Sequence, residues 1–167
     1  MSAHGDIRQV VFGVIAQVTG QTATKIFPWN SNRVRPTTGN YYTYDIDINA
    51  VGQPHRRDPD NTGKYDVEQL YSIILTLNCY RSGAKGLISD FYTKLFTDVN
   101  QAYMRSKNIA HNGEPIFTDL TELEGTEIEE RQQLELSMSF VHAYTDTISY
   151  IETINVGELN EPEEEED

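Results

Sequence analysis

Residues 68–103 have the sequence EQLYSIILTLNCYRSGAKGLISDFYTKLFTDVNQAY, in which the spacing of the apolar side chains changes once. Up to Tyr80 apolar and polar residues alternate, which is typical of a half-buried β-strand. From Ala84 onward apolar residues recur every three or four positions, which predicts a helix over 84–103 with one apolar stripe. A strand and a helix that each bury one face against a shared core favour a two-layer α+β domain.

The flanking segments extend this pattern in both directions. Residues 6–19 carry a second helical stripe, with Asp6 as the expected N-cap and Gly20 as the expected stop, and Ser82 is expected to cap the helix over 84–103. A long polar loop is predicted over 52–66 and a tight antiparallel turn at Thr145-Asp146. The predicted strands are 25–27, 42–51, 68–80, 109–110, 116–120, 128–144 and 147–156.

The resulting order α-β-β-β-α-β-β-β, in which the short segments 109–110 and 116–120 count as one strand, predicts an α+β, two-layer domain. Its mixed or antiparallel sheet should have about five or six strands, with two helices packed on one face. The other face is expected to be polar and, with its unpaired edges, to serve as an assembly surface. The residues predicted for that face are Asp45, Asp47, Asn49, Arg131, Gln133, Glu135, Ser137 and Ser139.

Charge excludes several classes of protein. The chain has 167 residues, which suits one domain, and 13 basic residues against 26 acidic ones give a net charge of −13. This balance excludes binding of nucleic acid or of an anionic membrane through a basic face. The last ten residues contain seven acids and no base, so the rest of the chain carries 13 basic and 19 acidic residues. We therefore predict one folded domain over 1–157 and a disordered acidic tail over 158–167, with its candidate functional acids at Glu163, Glu164, Glu165, Glu166 and Asp167.

Cysteine content and hydropathy indicate the compartment. The single cysteine, Cys79, excludes an internal disulfide and is expected to be a buried thiol. No signal peptide is visible after Met1, and no apolar stretch approaches the ~20 residues of a membrane helix. These features are typical of a soluble protein made in a reducing cytoplasm, with no membrane partner.

Two segments partly match known ligand-binding motifs, but each departs from the motif at a position that the ligand needs. Residues 81–86, RSGAKG, precede a helix but lack the spacing of a phosphate-binding loop. Residues 58–63, DPDNTG, resemble the start of a calcium loop, but its twelfth position is Gln69 where a glutamate is needed. A strand-to-helix turn and an ordinary loop are the interpretations favoured for the two segments.

Catalytic residues are not predicted. The four histidines are scattered, without metal-ligand spacing, and His142 fits the apolar side of its strand. Carboxylates at Asp45, Asp47, Glu127 and Glu129 leave a metal-dependent nuclease as the less favoured alternative, because the lysine that such a site needs is missing. The prediction is therefore a non-enzymatic protein without catalytic residue, metal or cofactor.

The order of several segments resembles the phage neck (tail) terminator family of tailed bacteriophages. The resemblance covers residues 5–157 and leaves out the acidic tail. It includes a helix start at Ser82-Gly83-Ala84 and a Pro…Pro…Tyr-x-Thr entry to the first long strand. The remaining segments are FPWNSNRVRP (27–36), YYTYDIDI (41–48), LTLNCY (75–80), RQQLEL (131–136) and ISYIETINV (148–156).

What the resemblance implies is a structural virion protein at the neck, assembled in the host bacterial cytoplasm. Such proteins form a homo-oligomeric, hexameric ring that caps the tail tube, stops its polymerisation and joins it to the head. The implied partners are the tail tube protein, a neck, head-completion or portal-adaptor protein, and the sheath protein. DNA passes through the ring without specific binding. A head-completion or minor tail protein of similar fold is the alternative.

Ring assembly needs two different surfaces on each subunit. We expect them on the polar sheet face and on the loop over 53–66, whose arginines can pair with a neighbour's carboxylates. An ordinary surface loop is the alternative interpretation. The candidate interface residues are Gln53, His55, Arg56, Arg57, Asp58, Asp60, Lys64, Asp45, Asp47, Arg131 and Glu135.

Overall fold

A computed structural model describes residues 3–31, 34–36, 38–57, 64–124 and 127–147. The helices are α1 (Ala3–Thr19), α2 (Ala84–Leu95) and α3 (Asp98–Ser106). The strands are β1 (Ile26–Pro28), β2 (Tyr41–Arg56), β3 (Lys64–Tyr80), β4 (Ile109–Asp119), β5 (Glu122–Glu124), β6 (Glu127–Glu129) and β7 (Arg131–Thr147).

Five strands form one mixed sheet in the spatial order β1-β2-β3-β7-β4, and β5 pairs with β6 separately. β1 runs parallel to β2, while the other neighbours are antiparallel. The helices cover one face of this sheet, which confirms the predicted α+β class. No helix within the described residues is long and apolar enough to cross a membrane.

The core lies between the helices and one sheet face. Alternating residues of three long strands face the helices, as the sequence pattern predicts, because opposite faces of a strand alternate. α1 and α2 bury their apolar stripes on this face. The central core side chains are Ile7, Val11, Val14, Ile15, Ile73, Leu75, Leu77, Cys79, Ile88, Phe91, Leu134, Leu136 and Met138.

The helix predicted over 84–103 is two helices. α2 ends at Leu95, and the extended backbone of Thr97 (φ −68°, ψ 149°) starts α3. The Lys94 carbonyl, near the end of α2, accepts hydrogen bonds from the Thr97 backbone N–H at 3.1 Å, from Thr97 Oγ1 at 2.9 Å and from Asn100 Nδ2 at 2.8 Å. The Leu95 carbonyl accepts one from Gln101 Nε2 at 2.9 Å. Polar side chains thus supplement the backbone hydrogen bonds at the end of α2, an effect that apolar spacing does not report.

The described part of the loop predicted over 52–66 is largely strand. β2 and β3 stay paired as far as Arg56 and Val67, with an irregularity between Val51 and His55. β7 continues beside β3 to the pair Lys64–Thr147. This extension, residues 52–57, 64–68 and 143–147, is named here the sheet arm. Residues 52–57 are exposed and show no apolar alternation, so periodicity missed them.

The last part of the chain also differs from the prediction. The two short strands predicted over 109–110 and 116–120 are one strand, β4, with an irregularity between Asn112 and Ile116. The turn predicted at Thr145-Asp146 is wrong, since both residues lie in β7 and pair with β3. Of the strand predicted over 147–156 only Thr147, the end of β7, lies within the described residues.

Two of the predicted caps are wrong. α1 begins at Ala3, so Asp6 lies in its first turn. At the start of α2, Gly83 holds the N-cap position with φ +82°, which a residue with a Cβ rarely adopts. Its N–H donates to the carboxylate of Glu130 at 2.7 Å. The predicted stop at Gly20 agrees with its φ of +67° directly after α1.

Candidate assembly surfaces

The sheet face away from the helices, named here the open face, carries the predicted acidic side chains at its centre. Asp45 pairs with Thr76, which in turn pairs with Glu135, so both carboxylates lie in one row across the sheet. Asp47 lies two residues along β2 on the same face, and both aspartates are exposed. The structure therefore groups Asp45, Asp47 and Glu135 as one negative area.

One end of the open face is covered by an aromatic–arginine cluster of Phe27, Trp29, Tyr41, Tyr80 and Arg131. Phe27, Tyr41 and Tyr80 are buried together. The Arg131 guanidinium lies 4.8 Å from the Trp29 ring centroid and 5.2 Å from that of Tyr80. Arg131, a predicted interface residue, is half-buried and takes part in this internal cluster, and its place in an interface stays a prediction. The sequence feature that could have indicated this cluster is its aromatic residues, which occupy strand positions that alternate with the core-facing ones.

Hydrogen bonds fix the segment that covers this end. Arg81 Nη2 donates to the Pro36 carbonyl at 2.5 Å, and Asn40 Nδ2 donates to the Ser82 carbonyl at 2.8 Å. Arg131 donates through Nε and Nη2 to Asn78 Oδ1, at 3.3 and 3.2 Å. Burial raises the pKa of Tyr41, opposed by the nearby Arg35. These contacts attach the described part of 29–40 to the sheet.

The open face is less polar than predicted toward the sheet arm. Val51, Leu70 and Val141 form one cross-strand row. Val51 is 44% exposed, Leu70 42% and Ile74, on the same face, 36%. A cleft of about 410 Å³ lies beside this row, lined by Glu68, Arg105, Asn108, Ile109, Ala110, Ser139, Val141 and Ala143.

The sheet arm carries the basic residues that the sequence singled out. Gln53, His55 and Arg56 are exposed on β2, and Lys64 is exposed at the start of β3. The Arg56 guanidinium lies 5.2 Å from the centroid of the Tyr65 ring. The Arg57 side chain is exposed, and its backbone N–H donates a hydrogen bond to the Asp66 carbonyl at 3.0 Å. The other two candidates predicted for this segment, Asp58 and Asp60, lie outside the described residues.

An aromatic patch that the sequence did not predict lies between α2 and β4. It consists of Tyr92, Phe96, His111 and Phe117, which meet edge to face. The Tyr92 centroid is 5.0 Å from Phe96, 5.9 Å from His111 and 5.7 Å from Phe117. Phe96 is 47% exposed and Phe117 45%. Phe96 falls on the apolar stripe of the helix predicted over 84–103, and the helix break turns it outward.

His111 forms the floor of the aromatic patch. Its ring centroid is 5.5 Å from that of Phe96. Nε2 is buried and has no hydrogen-bond partner in the structure. Burial lowers the pKa of His111, because the charged imidazolium loses solvation. The ring is therefore neutral at neutral pH and contributes to an apolar surface.

Both edges of the sheet show features that oppose pairing with another strand. Among the described residues β1 covers β2 only as far as Tyr44, and no strand covers the outer side of β4. Each exposed edge contains a register irregularity next to a proline, Pro54 in β2 and Pro115 in β4. Bulges and prolines interrupt the ladder of backbone donors.

Possible metal-ligating and nucleophilic side chains can be located within the described residues. No three His, Cys, Asp or Glu side chains converge there at a distance that suits a metal ion. Cys79 is fully buried, and burial raises the pKa of its thiol to about 11, so the nucleophilic thiolate is scarce at neutral pH. His142 Nε2 lies 3.6 Å from Asp6 Oδ2 and connects β7 to α1 at the edge of the core.

Comparison with family models gives a match that covers the domain. The model of a family described as "phage neck terminator protein" matches residues 6–163, nearly the whole chain. The match extends six residues beyond Gly157, into the acidic segment. No curated protein matches the sequence. One solved structure aligns at 10% identity with a TM-score of 0.43, covering 90% of this chain and 99% of its own.

Proposed function

The chain belongs to the phage neck terminator family, and we propose that it acts as a ring that caps the tail tube. Membership makes it a structural protein of the phage tail and neck. In the proposed role the ring ends tube polymerisation and joins the finished tail to the head. Its neighbours would be the tail tube protein on one side and a neck, head-completion or portal-adaptor protein on the other, with the sheath protein outside.

The observation that carries this proposal is the sheet arm. Three paired strands extend past the core, and residues 52–57 are exposed along their whole length. A monomer gains little from ordering such an extension, because it buries few apolar side chains. An oligomer gains contact area from it. Exposed Arg56, Arg57 and Lys64 make the arm suited to carboxylates of a neighbouring subunit.

A ring of identical chains requires heterologous contacts, in which one surface of each subunit meets a different surface of the next. The sheet arm and the aromatic patch differ in chemistry, as such a contact needs. Six subunits are the number that the family resemblance implies.

The acidic centre of the open face fits a conduit for DNA. Asp45, Asp47 and Glu135 would repel phosphates if this face lines the lumen, so that the duplex passes without being held. With the open face at the lumen, the sheet arm is the surface proposed for contacts between subunits. The acidic segment 158–167 is a separate appendage in this proposal, and its removal should leave the ring intact.

Mass measurement tests the ring. The purified chain, examined by native mass spectrometry and negative-stain microscopy, is expected to give six-fold rings. Arg56→Glu/Arg57→Glu should shift the mass toward the monomer, whereas a chain ending at Gly157 serves as the control and should still assemble. A strictly monomeric wild-type chain with metal-dependent nuclease activity would overturn the proposal.

Phage assembly separates the proposed role from that of a head-completion protein. A phage that lacks this chain should produce overlong tails that are not joined to heads. Tails of normal length together with open, DNA-leaking heads would identify a head-completion protein instead. Tail length measured in micrographs of lysates distinguishes the two outcomes.

A further inference from the structure

We propose that the aromatic patch is the surface on which the sheet arm of a second copy of this chain docks. The proposal rests on the ring function and names the two surfaces of the contact. Tyr92, Phe96, His111 and Phe117 form a preorganised cluster, because rings from α2 and β4 hold one another edge to face. Rigid aromatic side chains lose little entropy on binding, and they are enriched at the centres of interfaces.

The chemistry of the patch selects a cationic occupant. Aromatic faces attract a guanidinium, and the attraction grows when water is excluded. Acids also lie close along the chain: exposed Asp98 follows Phe96 by two residues, and exposed Glu114 lies between His111 and Phe117. A segment that combines arginine with aromatic side chains therefore complements this surface.

The sheet arm has that composition. Arg56 stacks over Tyr65, and exposed Arg57 and Lys64 stand beside this pair. Tyr144, 46% exposed, adds a second ring on β7. Arginine and tyrosine are among the residues that contribute most to binding energy at interfaces.

The contact has to join two copies. His111 pairs with Met138, and Lys64 pairs with Thr147, so the patch and the tip of the arm are separated by nine residues along β7. At about 3.3 Å per residue the separation is about 30 Å along a continuous sheet. An arm therefore cannot reach the patch of its own chain, and the repeated contact between copies is heterologous, as a ring requires.

The sheet edges support docking through side chains. Addition of a neighbour's strand is favoured by a long uninterrupted row of backbone donors and acceptors, and the irregularities at Pro54 and Pro115 interrupt that row once on each edge. The exposed rings next to β4 supply a contact that does not depend on that row.

Disulfide trapping tests the inference directly. Arg57→Cys and Phe117→Cys are made in separate chains, and Cys79, fully buried, provides a silent background. The two chains are mixed at equal concentration and oxidised gently. We expect a cross-linked dimer in the mixture and none in either chain alone. A dimer from Phe117→Cys alone would indicate a patch-to-patch contact and overturn the inference.

A second variant measures the energy of the contact. Phe96→Ser/Phe117→Ser should weaken assembly by about tenfold or more. The control is Ile128→Ser, which removes a side chain that is 71% exposed outside the patch and should leave assembly unchanged. This inference would be overturned if the double variant still formed rings and the mixture of Arg57→Cys and Phe117→Cys chains gave no cross-linked dimer. The proposed ring function would be unaffected by that result. A wild-type chain that forms no ring would overturn the ring function itself. If the double variant does not fold, cross-linking between the Arg57→Cys and Phe117→Cys chains tests the inference by itself.

Discussion

The rings of Tyr41 and Tyr80 stack with their centroids 4.6 Å apart and their planes 4° from parallel. The two residues are direct cross-strand partners on β2 and β3. Both are at most 2% exposed although they lie on the face away from the helices. The open face thus has a small core of its own at this end.

The stability of the fold should depend on the ring of Tyr80 and not on its hydroxyl. Tyr80→Ala leaves a cavity beside Tyr41 and should lower the free energy of unfolding by about 3 kcal/mol. Tyr80→Phe removes a buried hydroxyl without a hydrogen-bond partner in the structure, so it should be neutral or stabilising. Urea unfolding measures both variants, with Tyr144→Ala as the exposed control. A large loss in Tyr80→Phe would mean that the hydroxyl has a partner.

Arg131 should be needed for the position of Trp29, the only tryptophan in the chain. Arg131→Met keeps an apolar stem, removes the cation over the indole ring and leaves buried Asn78 Oδ1 without its donors. We expect a loss of about 1–3 kcal/mol and a red shift of tryptophan emission. Arg57→Met is the matched control on the sheet arm. Unchanged emission in Arg131→Met would contradict the stacking.

Gly13 and Tyr103 should be energetically coupled. A Cβ on Gly13 of α1 would lie 2.5 Å from Tyr103 Oη, closer than atoms approach, but 3.6 Å from Cζ. In a Tyr103→Phe background, Gly13→Ala should therefore stabilise by about 1 kcal/mol through helix propensity. In the wild-type background part or all of this gain should be lost. A double-mutant cycle measures the difference, and purely additive effects would count against the close approach.

Cys79 should react with alkylating agents only when the domain opens. The thiol is fully buried and burial raises its pKa to about 11. Iodoacetamide at pH 8 should leave the native protein unmodified, while the denatured chain reacts fully, as judged by mass. Phe117→Cys provides an exposed thiol as the positive control. Rapid single modification of the native wild-type protein would show that the core face of β3 is accessible.

His111 should make the fold less stable in acid. Its pKa is lowered in the folded state from an ordinary value near 6.5, so the unfolded chain takes up the proton first. Stability is therefore complete above pH about 6.5 and falls as the pH decreases toward the lowered pKa. His111→Leu should flatten this part of the profile of unfolding midpoint against pH. An unchanged slope would assign the acid sensitivity to another group.

Several features followed from the sequence alone. Strands β2, β3 and β7 and the helical stripes of α1 and α2 were predictable because one face of each element is apolar, and alternation reports that face directly. The α+β class follows, since elements with one apolar face pack in two layers. The excess of acidic residues and the central acids of the open face were equally visible in the sequence.

Other features depended on the tertiary structure. The break at Thr97 depends on side chains that satisfy the Lys94 and Leu95 carbonyls. The sheet arm depends on register, because a strand exposed on both faces has no periodic signal. The aromatic patch and the aromatic–arginine cluster also depend on the tertiary structure, because each brings together residues that lie far apart along the chain. Periodicity shows which face of an element is buried, whereas strand pairing and helix packing decide which side chains meet there and which remain exposed to a partner.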